Sequence, residues 1–365
     1  MLKNKAYKYR IYPTEEQKVF FAKTFGSVRF IYNVMLHDKI KHYEAHGEML
    51  YNTPAQYKKE HAFLKEVDSL ALANAQLNLE KAYKNFFREL KKGNKDQGFP
   101  KFRKKSYAQS YTTNNQNGTV SLVDNKYLNI PKLKTLVRIK LHRQIPANTE
   151  IKSVTVERTS SGKFYASILV IESILPLEPL STKVAIDLGL KTFATLSNSD
   201  SIPNPKYLRQ REDRLKRLQR ALSRKVKGSK NYYKNKRLIA IQHEKISNQR
   251  KDFLHKRSKE LINKNQVINI ESIKVKNMIK NHKLAKSIAD ASWSIFTEML
   301  TYKSDWYGRT LNKADAYYAS SQLCHVCNYK NIEVKDLAVR KWTCPQCSSY
   351  HDRDDNASQN LLKIG

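Results

Sequence analysis

Residues 184–197 read VAIDLGLKTFATLS. Val184, Ala185 and Ile186 form a short apolar run of the kind that lies inside a sheet, and the run ends on Asp187. Gly189 interrupts the pattern, and Thr192 to Leu196 resume as a second β-patterned stretch. The spacing predicts two strands with a carboxylate near the end of the first. A carboxylate on a buried strand is costly unless a cation compensates it. An aspartate that caps a turn accounts for the same residue, and this stretch alone does not separate the two.

Two further stretches carry the same device. Residues 266–278, QVINIESIKVKNM, are an apolar strand running into Glu271, with Lys274 and Lys276 close behind. Residues 351–362, HDRDDNASQNLL, place acids at the start of a helix. Acids there serve as caps and dipole partners, a role open to both Asp354 and Asp355. Together, two strand-borne carboxylates and one at a helix start are what a two-metal nuclease needs. Two Mg²⁺ ions about 4 Å apart clamp the attacking and leaving oxygens of a phosphodiester, and Mg²⁺ prefers hard carboxylate oxygens. This is the logic of an RNase H-like α/β fold.

The four cysteines of the chain all fall between Cys324 and Cys347. Cys324, Cys327, Cys344 and Cys347 form CHVC and CPQC with sixteen residues between them. Two Cys-x2-Cys knuckles at that separation predict a tetrahedral Zn²⁺ ribbon, closed by four thiolates and therefore structural. A secreted disulfide scaffold would spread its cysteines along the chain, so the pattern points to a reducing, cytoplasmic setting. The ribbon lies between Glu271 and the C-terminal acids, inserted in the nuclease segment and placed to position the last helix or touch DNA.

The charge balance agrees. The 365 residues carry 68 Lys and Arg against 33 Asp and Glu, a formal charge of +35. That much like charge repels itself unless a polyanion neutralises it, and nucleic acid presents repeating phosphates. No long apolar run supports a membrane partner. The 21 tyrosines suit surfaces that stack on bases, although most are expected to be half-buried packing residues.

Toward the N-terminus, Tyr7, Tyr9 and Ile11 alternate with Lys8 and Arg10, predicting a strand that Pro13 ends. Thr14 and Gln17 are a capping-box pair opening a helix along Phe21, Phe25, Val28, Tyr32 and Met35. Leu72, Leu79, Ala82, Phe86 and Leu90 predict the apolar stripe of a second helix. Residues 91–105, KKGNKDQGFPKFRKK, read as a basic loop on phosphates or a solvated linker. Residues 107–172 read as β-rich, with a turn at Ser160-Ser161-Gly162. LPLEPLST, 175–182, is a linker, and about 206–262 a Lys/Arg-rich helical hairpin broken near Lys227-Gly228-Ser229.

These stretches resemble, along essentially the whole chain and in order, the TnpB family of RNA-guided nucleases carried by bacterial insertion sequences, relatives of the type V CRISPR effectors. The resemblance rests on YKYRIYPTEEQ, FGSVRFIYN, GFPKFRKKS, AIDLGLKTFATLS, RLQRALSRKVKGSKN, IESIKVKNM, NHKLAKSIADASW, WYGR, CHVC…CPQC and HDRDDNAS. It implies a multidomain α/β protein. A β-barrel wedge domain (1–13 and 106–180) would hold a helical recognition domain (14–105). A RuvC-like, RNase H-like nuclease domain (181–318 and 349–365) would carry the zinc ribbon, 319–348, as a target-nucleic-acid-binding insertion. It implies catalytic, Mg²⁺-binding carboxylates at Asp187, Glu271 and Asp354. Asp354 is chosen over Asp352 because the family's last acid directly precedes x-Asn-Ala. It further implies a guide RNA from the transposon end, a double-stranded DNA target beside a short flanking motif, and a monomeric ribonucleoprotein. The knuckle positions usually held by Gly are Asn328 and Ser348, and Ser272 stands where a second acid is common. Relatives lacking catalytic acids act as RNA-guided repressors; here all three are present. A transposase accessory protein is the other alternative.

Overall fold

The computed structural model describes residues 1–365 except 95–97, 107–108, 147–148, 316–317, 337 and 365. The chain divides into two compact units, residues 2–173 and residues 174–365, Met1 grouping with the second.

The first unit begins with β1 (Leu2–Tyr12), whose Tyr7, Tyr9 and Ile11 are buried while Lys8 is exposed. Helix α1 (Glu15–His46) follows Pro13. Gln17 N donates to Thr14 Oγ1 and Thr14 N donates to Gln17 Oε1, so both halves of the predicted capping box are present. After a short turn of helix, α2 (Pro54–Tyr57), comes α3 (Ser69–Lys91), capped by Asp68. Its stripe is core only over its first half. Leu72 and Leu79 are buried, Ala82 and Phe86 half-buried, and Leu90 exposed, because the helix runs on past α1 and Tyr83 takes the inner position. Within the basic loop, residues 95–97 lie outside the described residues. Beyond them the loop is clipped to α1: Asn33 donates to Arg103 O at 3.0 Å and accepts from Arg103 N at 2.7 Å. The Arg103 guanidinium lies 3.9 Å from the Tyr32 ring centre.

Strands β2 (Gln109–Asn114), β3 (Ser121–Val123), β4 (Tyr127–Asn129), β5 (Val137–Lys140), β6 (Glu150–Arg158) and β7 (Phe164–Ser173) complete the unit. With β1 they form one antiparallel sheet in the order β2-β6-β7-β1-β5-β4-β3. The edge strands β2 and β3 are consecutive in the chain. Seven flat strands would set them ~29 Å apart at ~4.8 Å per step. The link 115–120 spans at most ~25 Å even fully drawn out, and Asn117 and Gly118 turn it back with positive φ. The sheet must therefore curl, as a barrel does. Among the described residues β2 and β3 share no ladder, so the barrel is open along that seam. Sheet and helices share one core: the Phe21 ring lies 5.9 Å from Phe164 and 6.3 Å from Tyr111.

The second unit holds β8 (Lys183–Leu188), β9 (Thr192–Leu196), β10 (Ser201–Pro203), α4 (Tyr207–Ser223), α5 (Lys230–Lys264) and β11 (Val267–Ile270). It continues with α6 (Val275–Met278), α7 (His282–Ala291), α8 (Trp293–Tyr307), β12 (Thr310–Lys313), β13 (Lys341–Thr343), β14 (Tyr350–Asp352) and α9 (Arg353–Leu362). Five strands form a mixed sheet ordered β10-β9-β8-β11-β12. The first three are antiparallel neighbours, while β8, β11 and β12 run parallel. Helices α4 and α5 form the predicted basic hairpin, broken at Gly228 with φ 89° and restarted by Ser229 as cap. The WYGR stretch also has a local reason. Gly308 ends α8 in a left-handed cap where a Cβ would come 3.1 Å from Pro176. Arg309 is buried and binds Ile262 O, Glu178 O and Gln266 Oε1, tying the linker to the sheet. Among the described residues no helix is long and apolar enough to cross a membrane.

The shared core of the first unit yields a stability prediction. Phe21→Ala should lower unfolding free energy by about 3–5 kcal/mol, while Val19→Ala, at an exposed position of the same helix, should stay within about 0.5 kcal/mol. Urea titration of both variants checks this, and equal effects would mean that α1 is not part of the core.

Candidate active site and metal centre

Asp187 is the fifth residue of β8, and Glu271 directly follows β11. These strands pair in parallel with Ile186 opposite Ile270, so the next step of the register sets Asp187 beside Glu271. Glu271 Oε1 accepts from Leu188 N at 3.0 Å, which fixes one carboxylate oxygen against β8. The turn after Asp187 requires glycine: a Cβ on Gly189 would come 2.8 Å from Thr192 O.

Helix α9 brings the third acid. It packs on β8 and β9. At its far end, Asn269 Nδ2, buried on β11, donates to Leu361 O at 2.8 Å. At its start, Asp352 is the cap and accepts from Asp354 N at 3.0 Å. Asp352 thus has one carboxylate oxygen engaged as the cap, and Asp354 stands in the first turn. Asp354 Oδ1 is paired with Arg340 Nη1 at 3.3 Å.

The electrostatics bind the three acids into one group. Burial, then the charges of Glu271 and Asp354, push Asp187 well above the usual carboxylate range, against the opposing pull of Arg353 and Arg340. Burial and the charge of Asp354 push Glu271 up to about 7, although the Leu188 hydrogen bond pulls it down. Crowded carboxylates of this kind call for a cation. Their oxygens are hard donors suited to Mg²⁺, and Glu271 keeps its Oε2 outside the Leu188 bond. They do not close to the spacing of the cysteine cluster described next.

Cys324, Cys327, Cys344 and Cys347 bring their sulfurs within 4.8 Å of one another. Cys324 to Cys347 and Cys327 to Cys344 are both 3.6 Å. Tetrahedral Zn–S bonds of about 2.3 Å imply sulfur separations of about 3.8 Å, so the set fits a structural zinc. The knuckles are built alike. Asn328 N donates to Cys324 O and Ser348 N to Cys344 O, each at 2.9 Å. Asn328 (φ 63°) and Ser348 (φ 56°) both take the left-handed backbone that glycine takes most easily.

Three residues that sequence reasoning passed over join the cluster to α9. His351 Nε2 lies 3.1 Å from Cys324 Sγ, and its ring packs 4.6 Å from Trp342. Asn356 and Asn360, both buried in α9, donate to Leu323 O at 2.7 and 2.6 Å. Asn356 Oδ1 accepts from His325 N at 2.9 Å, inside the first knuckle. The available signal was two asparagines four apart on a helix, hence on one face. The cysteine cluster thus holds the helix that carries Asp354.

A mixed sheet presenting paired carboxylates, with a helix-borne acid anchored on a four-cysteine knob spaced to hold a metal ion, defines the class of α/β protein. Comparison with known proteins narrows this. Residues 154–282 match a family model described as "Probable transposase", residues 293–361 a "Cas12f1-like, TNB domain", and residues 1–48 a "Helix-turn-helix domain". In this structure the last segment is a strand and one 32-residue helix, so that description does not fit its fold. A Streptomyces pristinaespiralis protein named "Putative RNA-guided DNA endonuclease" is 38% identical, covering 99% of this chain and 89% of its own. The similarly named InsQ of Escherichia coli (strain K12) is 30% identical over 100% and 93%. A cryo-EM structure of the Cas12f1–sgRNA–target DNA complex aligns over 100% of both chains with a TM-score of 0.60 at 14% identity, a likeness of fold. The chain belongs to the TnpB family.

The knuckle geometry predicts one zinc per chain by elemental analysis of the purified protein. Cys344→Ser should remove it. Since α9 is anchored on the knuckle, proteolysis near residue 351 should then speed up severalfold. Full zinc content in the variant would refute the four-thiolate site.

Proposed function

We propose that this protein is an RNA-guided DNA endonuclease that hydrolyses phosphodiester bonds at Asp187, Glu271 and Asp354. The observation that carries the reading is the β8–β11 register that sets Asp187 beside Glu271, with Asp354 of a distant segment close enough for its charge to raise both. The names of the relatives and the fold likeness to Cas12f1 support it. We assign residues 181–318 and 349–365 to a RuvC-like nuclease domain and 319–348 to its zinc-binding insertion. Residues 1–13 and 106–180 are assigned to the wedge and 14–105 to the helical recognition segment.

In this reading Asp187, Glu271 and Asp354 hold Mg²⁺, which when bound supplies charge stabilisation and an acidified water. The chain's own part is positioning. Leu188 N orients Glu271, Gly189 allows the tight turn after Asp187, and Asn356 with Asn360 fixes the rotation of α9. The excess of Lys and Arg neutralises the phosphates of guide RNA and target, and base pairing supplies sequence choice beside a short flanking motif.

Asp187→Ala should lower guided cleavage by at least about 10³-fold while the co-purifying RNA stays bound. Cleavage equal to the parent in a gel assay would refute the assignment. Sequencing that RNA tests guidance: a defined transposon-end species supports it, and a random cellular mixture does not. The raised carboxylates also fix a pH dependence. Metal binding requires their deprotonated forms, so affinity must rise with pH through about 7. The Mg²⁺ concentration for half-maximal cleavage should fall between about pH 6 and pH 8; a flat profile would contradict the raised values.

A further inference from the structure

A second cavity, outside the carboxylate group, opens at the β8–β9 turn. Its volume is about 450 Å³, and its wall includes Lys191 of that turn, Lys206 and Arg209 at the start of α4, and Lys286 of α7. Glu212 and Asp290 share the wall. Both are already committed inside the protein. Glu212 pairs with Lys286, and with Lys216 at 2.9 Å. Asp290 Oδ1 pairs with Arg250 at 2.6 Å, and its Oδ2 accepts from Leu208 N at 3.1 Å. Lys191, Lys206 and Arg209 are exposed and have no acidic partner among the described residues. The wall therefore offers three cations whose charge is not cancelled locally, around a concave space.

We propose that this cleft is a phosphate-binding subsite for the single DNA strand that enters the carboxylate site. The cations suit a polyanion, and a cavity of this size takes about one small-molecule-sized unit, so it fits one strand and not a duplex. Lys191 follows Asp187 by four residues, a chain length that reaches at most ~14 Å. A phosphate gripped there belongs to a nucleotide within a few steps of the bond at Asp187. The assignment to DNA rests on the reading of Asp187 as part of a DNA-cutting site. The acids of the cleft have a separate role. Asp290, near the end of α7, ties that end and the start of α4 to α5 and so keeps the wall in shape, while Glu212 offsets the charge of Lys286 and Lys216.

The test uses the full chain with its co-purifying RNA, without divalent cation, so that no strand is cut. Binding of a short fluorescent oligodeoxythymidylate is followed by anisotropy across a salt series, with an oligouridylate of equal length in parallel. The triple variant Lys191→Ala, Lys206→Asn, Arg209→Ala is compared with the parent; asparagine at 206 tolerates the left-handed backbone present there (φ 49°). Each phosphate contact on a single strand contributes about 0.7 to the logarithmic salt slope. The variant should therefore lose about 2 from the slope and bind the DNA about tenfold more weakly at moderate salt, with oligouridylate binding unchanged. Glu212→Gln, which frees Lys286, should steepen the slope and tighten DNA binding severalfold, a gain that misfolding cannot produce. An unchanged DNA slope in the triple variant overturns the subsite, as does no gain from Glu212→Gln. Equal losses on DNA and RNA overturn its assignment to the DNA strand. Because the readout is binding, a chain that proves unable to cut can still possess the subsite, and an active nuclease can still lack it.

Discussion

Like charges must be held together. Asp187, Glu271 and Asp354 repel one another, and two of them are half-buried, where water screens the repulsion poorly. For Glu271 the rise to about 7 corresponds to a penalty on the order of 3 kcal/mol for carrying its charge at high pH. The sign is definite. A carboxyl raised in the folded state keeps its proton longer there than in the unfolded chain, so without a cation stability falls as pH climbs from the ordinary carboxylate range through 7. Everything that holds the acids in register works against this penalty. The parallel β8–β11 pairing fixes two of them, and the contacts on both ends of α9 fix the third.

The anchoring of α9 gives the cysteine cluster its meaning. A closed four-thiolate site cannot bind substrate at the metal, yet its first knuckle presents backbone carbonyls to Asn356 and Asn360. The loop leading to its second knuckle presents Arg340 to Asp354, and Arg340 O accepts from Arg353 N at 2.8 Å. Local metal chemistry is thereby converted into the position of a remote carboxylate. A ten-residue helix is marginal without tertiary contacts. Here both ends are pinned by buried asparagines whose side-chain nitrogens donate to backbone carbonyls.

Much of this was legible in the sequence, for identifiable reasons. Period-2 alternation around Tyr7, Tyr9 and Ile11 is a local signal, and so is the Thr14–Gln17 capping box; both elements form as read. The cysteine spacing fixes a cluster without reference to the rest of the chain. What the sequence left open is non-local. That Leu90 faces solvent depends on where α1 ends, and that the sheet is unpaired along β2 and β3 depends on a seam between strands six places apart. Asp352 and Asp354 are both acids at a helix start, and only the bond from Asp354 N shows that Asp352 is the cap.

Charge of opposite sign is organised at two scales. The net charge of +35 is spread over surfaces where each lysine is screened within about 8 Å. The acids that matter are crowded into a space where screening fails, with Arg340 and Arg353 beside them but only Asp354 in direct contact with one. Two closer arginines would lower the carboxylates to ordinary values and leave no demand for a divalent ion. Among the described residues neither Asp187 nor Glu271 is in contact with a side-chain cation, which keeps that demand high. In the proposed function a dispersed positive field draws in the polyanion while the local negative field is kept for the metal.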